Sequence, residues 1–230
     1  MRRAPGSFGL RTSGFGLAAL LALVPLSQAR AQAKMAKPAD STRADAARRA
    51  ERGDGLIPAG FGTLRQDQIA IRFQANGLTI SATPLDESVI RTLAPDSYKS
   101  LRAYRESKKA ALDALRARTG LASVQVWWVS FYNIQQGDAR FDAFDLIIHS
   151  VGQDFRPLDA LPLTPGFGDG RVAQRGQQSA VYAFDPQIDL NQPLTVTSLG
   201  QQSTAWGDNM LPLIERERSA IISRAAAAKP

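Results

Sequence analysis

The sequence predicts an α+β fold: an antiparallel, two-layered β core, a long helix packed on it, and a further helix at the C-terminus. Three observations carry this. The stretch Val124-Gln125-Val126-Trp127-Trp128-Val129-Ser130-Phe131-Tyr132 is apolar on both alternating faces, so each face of that strand needs a cover. Apolar residues at helical spacing run from Tyr98 through Leu101 and Leu112 to Leu115. Short strand-like runs are separated by Asn-Gly, proline and glycine punctuation, which suits hairpins rather than helical crossovers.

The N-terminus reads as an export signal over residues 1–33. Arg2, Arg3 and Arg11 precede an apolar run from Phe15 to Leu26, and Ala31-Gln32-Ala33 supplies the small-x-small pattern of a cleavage site. The run is shorter than the ~20 residues that span a bilayer, so no transmembrane segment is expected after cleavage. Residues 34–60 hold few large apolar side chains and read as a flexible Ala/Arg-rich spacer. The α+β domain is placed at 61–208 and the C-terminal helix and tail at 209–230. Inside the domain, two alternating runs around Asn76-Gly77 predict a hairpin. Thr83 is expected to cap a helix with Pro84 at its first position and Asp86 in its first turn. A second, longer helix is expected from Asp96 to about Arg118, stopped by Gly120. Further strands are expected around Phe144–Ile148, Ala180–Phe184 and Leu194–Ser198, with a Pro/Gly-rich irregular connection from Gln153 to Gly170. Asn209 is the expected cap of the last helix.

The chemistry is bounded mostly by what the chain lacks. It has no cysteine and one histidine, which excludes disulfides, cysteine catalysis and zinc sites built from those ligands. The formal charge of +7 is partly owed to the four arginines of the predicted signal, so no nucleic-acid footprint is read from it. His149 reads as a surface strand residue. Asp145 shares its face but stands about 13 Å away at ~3.3 Å per residue, too far to orient it. Asp138, Asp142, Asp145, Asp154, Asp159 and Asp169 are dense enough to leave two-carboxylate or calcium chemistry open, although aspartates also cap turns. The stretch Leu163-Thr164-Pro165-Gly166-Phe167-Gly168-Asp169-Gly170-Arg171 has the glycines of a phosphate loop. Its spacing and both flanks fail that pattern, leaving an ordered surface loop around one aromatic residue.

The segment from Val124 to about Trp206 resembles the immunoglobulin-like β-sandwiches of secreted bacterial proteins, including the telokin-like type. The likeness is carried by the first strand, "DLIIHSVGQDFRP", a long connection, "QRGQQSAVYAFD" and "PLTV". It implies an Ig-like β-sandwich core and no active site of its own. The functional expectation is an exported, periplasmic or extracellular module that binds a protein or an envelope polymer without catalysis and without a cofactor. Phe155, Arg156, Phe167, Asp169 and Arg171 are the candidate contact residues, because aromatics and arginines dominate interface energetics. Phe155 and Phe167 serve equally well as plugs of the core. The alternatives are a carboxylate- or calcium-dependent hydrolase of envelope polymers and a lipid carrier, which would need an apolar cavity.

Overall fold

The structure, a computed structural model, describes residues 56–228. The predicted signal, most of the predicted spacer and the last two residues lie outside them. The described chain is α+β, with three separate antiparallel sheets.

Strands β1 (Ile71–Ala75) and β2 (Leu78–Pro84) form the expected hairpin. Its turn needs positive φ at both central residues, and Asn76 and Gly77 adopt 48° and 76°. Strand β2 runs straight through Thr83 and Pro84, so neither starts a helix. The short helix α1 (Glu87–Ile90) begins later, capped by Asp86, whose carboxylate accepts from the Ser88 amide at 2.8 Å. The longer helical region is two helices, α2 (Pro95–Ser107) and α3 (Lys109–Thr119), broken at Lys108. Gly120 ends α3 at φ 70°, the left-handed stop predicted for it.

Next come β3 (Gln125–Asn133), β4 (Ala139–Arg140), β5 (Ile147–Ser150), β6 (Gln153–Phe155) and β7 (Asp159–Pro162). The chain continues with β8 (Arg171–Val172), β9 (Gln177–Phe184), β10 (Leu194–Ser198) and β11 (Gln201–Ser203). The segment expected to be irregular thus contains two short strands. Helix α4 (Leu211–Ala227) closes the described chain. It is entered through a π-helical turn over Trp206–Met210, so Asn209 lies inside that turn and does not cap the helix.

The large sheet has the order β1-β2-β3-β9-β7, and a smaller one the order β11-β10-β5-β6. Strands β4 and β8 pair alone. All are open, and none closes or curls into a sandwich, which corrects both the predicted Ig-like β-sandwich core and the resemblance behind it. The physical reason lies in strand partition. The rhythm of residues 124–206 shows that strands exist, but not which ones pair. Here β3, β7 and β9 join the N-terminal hairpin, while β5, β6, β10 and β11 build a sheet of three- to five-residue strands. Helices α2 and α3 take one face of the large sheet, with Tyr104 of α2 stacked on Trp128 of β3 at 5.6 Å.

The core collects the other face of the large sheet. Trp127, Val129 and Phe131 of β3 stand beside Ile80 and Ala82 of β2 and Tyr182 and Phe184 of β9, all fully buried. Trp206 reaches Trp127 at 6.3 Å, and Ile148 and Val196 of the small sheet join the same cluster. Tyr182 brings a buried hydroxyl that has no hydrogen-bond partner. Burial, then the charge of Asp142, pushes its phenol far above the ordinary tyrosine range. Replacing it by phenylalanine removes an unsatisfied polar atom, so stability at neutral pH is expected to hold or to rise by up to about 1 kcal/mol. Because the folded-state pKa is raised, the tyrosine contributes stability below pH ~10 that is lost above it, as only the unfolded chain releases the proton. Urea titrations at pH 8 and pH 11 test this: the loss between them should be smaller in Tyr182→Phe than in the wild type.

Candidate binding surface

Among the described residues, helices cover only part of the outer face of the large sheet. Strand alternation puts Val126, Trp128, Ser130 and Tyr132 on that face. The helices cover its first half, over Val126 and part of Trp128. Beyond Trp128 the face is polar, and among the described residues Gln74, Tyr132 and Gln177 are exposed on it. Ser81, Ser130 and Ser179 are direct cross-strand partners on β2, β3 and β9, so their side chains form one row across three strands. The next row holds Gln74, Thr79, Tyr132 and Gln177, of which Tyr132 is 40% exposed. The serines sit low between taller neighbours, at 9%, 6% and 6% exposure. Their hydroxyls have no hydrogen-bond partner among the described residues, yet they are not sealed from solvent. A recessed hydroxyl row thus lies between an indole ring and a phenol ring.

Beside it, α1, α2, α3 and the start of β3 enclose a groove of about 410 Å³. Its carboxylates are matched within the protein. Arg91 Nε donates to Glu87 Oε2 at 2.6 Å, and Arg102 donates to the Tyr98 hydroxyl at 2.9 Å while lying 3.9 Å from Glu87 and 4.0 Å from Glu106. The Tyr98 hydrogen bond, with the nearby Glu87 charge, holds the Arg102 guanidinium above its ordinary pKa. Asp113 is shared by Lys109 at 3.4 Å and by Arg116. Partial desolvation alone would raise its pKa, but the two cations outweigh it and hold the carboxyl below its ordinary value. Five cations, Arg91, Arg102, Arg105, Lys109 and Arg116, share the lining with three carboxylates, Glu87, Glu106 and Asp113, so it keeps a net positive charge after the carboxylates are matched.

On the outward face of the small sheet, His149 has two partners that sequence spacing did not reveal. Asp154 Oδ1 lies 2.5 Å from Nδ1, and Thr197 Oγ1 lies 3.0 Å from Nε2. Both come from neighbouring strands: β6 sets Asp154 opposite His149, and β10 brings Thr197 diagonally beside it. The signal was available in Val151-Gly152, a two-residue hairpin turn that fixes the register of 149 against 154. Val151 occupies it at φ 50°, strained for a β-branched residue. The chain acid–imidazole–hydroxyl has the order of a catalytic triad. However, the cleft of about 370 Å³ next to His149 is lined by Thr195 and Thr204 and not by Thr197, so the hydroxyl that would attack does not face the space a substrate would fill.

The predicted contact residues fall into two groups. Phe167 is 4% exposed and points into the core, 5.1 Å from Phe141, 6.3 Å from Phe131 and 6.2 Å from Tyr182 by ring centroids. Phe155 is buried beside Ile148. Both act as plugs. Arg156, Asp169 and Arg171 are exposed, and Arg171 is paired with Asp138 across β4 and β8. A short 3-10 turn carries Phe167 inward. It is flanked by Gly166 at φ 77° and Gly170 at φ 62°, where a side chain at Gly170 would meet the Phe141 carbonyl at 2.8 Å. The loop's glycines therefore serve to turn the chain around Phe167.

The aspartates between 138 and 169 have separate local tasks. Asp142 caps the Phe144 amide at 2.8 Å, Asp145 accepts from the Leu199 amide, and Asp159 meets Arg118 at 3.3 Å. No family model, curated protein or solved structure matches the chain. Among the described residues no helix is long and apolar enough to cross a membrane.

Proposed function

We propose that the protein is an exported, non-enzymatic binding module of the cell envelope, periplasmic or extracellular, that holds a macromolecule against the polar part of its large sheet. The observation that carries this is the recessed row Ser81–Ser130–Ser179, flanked by Trp128 and Tyr132 on a polar sheet face. Three recessed hydroxyls that solvent still reaches offer a row of donors and acceptors to a bound partner. Export rests on the basic start, apolar run and Ala31-Gln32-Ala33 of the sequence. Binding is favoured over carboxylate hydrolysis because the aspartates are engaged in caps and ion pairs distributed along the chain. It is favoured over lipid carriage because large buried rings fill the core, packed against one another.

Site-specific photocrosslinking in cells tests the reading. A photoreactive residue at Gln74 or Gln177, both exposed beside the serine row, is expected to give a discrete adduct. The same probe at Phe144, exposed on the connection between β4 and β5, should give none. Equal labelling at the three positions, or no adduct at Gln74 and Gln177, would remove the proposal.

A further inference from the structure

Resting on that reading, we infer that the occupant of the polar face is a neutral, hydroxyl-rich glycan chain. Charge is the first reason. In the serine row and the Tyr132 row the only charged side chain is Arg72, at the β1 end of the serine row. A surface this nearly uncharged complements an uncharged polymer, whereas a polyanion needs clustered unpaired cations and most protein partners bring charged rims.

Hydrogen-bonding capacity is the second reason. Each serine hydroxyl both donates and accepts, as each sugar hydroxyl does, and the row repeats at the strand spacing of ~4.8 Å, comparable with the size of one sugar unit. A dry apolar protein surface laid over the row would leave three hydroxyls unsatisfied at nine-tenths burial, at a cost for each. A polyol would satisfy them.

The third reason is the pair of rings. Trp128 and Tyr132 stand two residues to either side of Ser130 on one strand face, about 13 Å apart along the strand. The C–H face of a pyranose is apolar and weakly positive, and it lies well on the negative face of an aromatic ring. The Trp128 indole is already stacked against Tyr104 with only 22° between the planes, so it is pre-ordered and loses little freedom on binding. The result is a hydroxyl floor with an aromatic ring on either side.

Titrating the purified protein with dextran and with hydroxyethyl cellulose, both neutral, and with poly-γ-glutamate tests the inference by calorimetry and tryptophan fluorescence. Saturable binding of at least one neutral glycan is expected, little changed between low and high salt because no ion pairs form. Tyr132→Ala, at an exposed position, should weaken it about tenfold or more. Ser130→Ala, which removes the central hydroxyl, should weaken it likewise, while Phe144→Ala should leave it unchanged. No saturable binding of either neutral glycan, tighter binding of poly-γ-glutamate, or a Gln74 crosslink that proves to be a protein would each overturn the glycan inference. A persistent Gln74 crosslink in any of those cases keeps the binding-module reading, whereas loss of both signals removes both.

Discussion

Phe167→Ala is expected to destabilise the domain by about 3–5 kcal/mol, the range for emptying a large aromatic site in a core. The ring meets Phe131, Phe141 and Tyr182 at once, and Phe131 and Phe141 are themselves stacked at 4.2 Å. Its removal therefore leaves a cavity bounded by rigid rings, which relax poorly into the space. Urea denaturation followed by near-ultraviolet circular dichroism would measure the loss. Phe167→Leu should recover part of it. A change below about 1 kcal/mol, the usual range for a surface substitution, would show that the ring is not a plug.

Asn133→Ala should cost about 2–4 kcal/mol through hydrogen bonds rather than volume. The side chain is fully buried. Its amide donates to the Gly137 carbonyl at 2.7 Å and to the Val172 carbonyl at 2.9 Å, and its oxygen accepts from the Gln135 amide at 2.9 Å. Alanine removes all three bonds, and the buried Val172 carbonyl is the group that water does not easily reach in its place. Asn133→Asp should be no better, since a carboxylate would face two carbonyl oxygens. Amide exchange adds a local readout: protection at Gln135 should collapse in the alanine variant before global unfolding does. An alanine variant as stable as the wild type would contradict the assignment.

How much of this was legible in the sequence depends on the range of the interaction that decides each feature. The β1–β2 hairpin and the stop of α3 were legible, because Asn76-Gly77 and Gly120 meet backbone requirements set within a few residues. The break at Lys108 was not, since neither glycine nor proline marks it and the apolar stripe continues across it. Thr83 and Pro84 have the look of a helix start, yet pairing with Trp128 and Trp127 keeps them in a strand. Sheet membership was also hidden: alternation tells that Ala180–Phe184 is a strand but not that it lies beside β3. The binding surface suffers most from this. Ser81, Ser130 and Ser179 are far apart in the chain and become one row only once two registers are known. Residue type, which singles out Phe155 and Phe167 as contacts, cannot tell a displayed phenylalanine from a buried one.

The strand order also dictates when the molecule can fold. Strand β3 finds β9 about fifty residues later, and β5 finds β10 at a similar distance, so each sheet is joined across a long loop. Closing such loops must precede the contacts that reward it, which makes the topology intrinsically slow. Until Leu194–Ser198 has arrived, β5 has a bare edge and Ile148 lacks its neighbour Val196. A growing or shortened chain that stops before that point therefore exposes a short apolar edge to other chains, and the late hairpin β10–β11 is what retires that hazard.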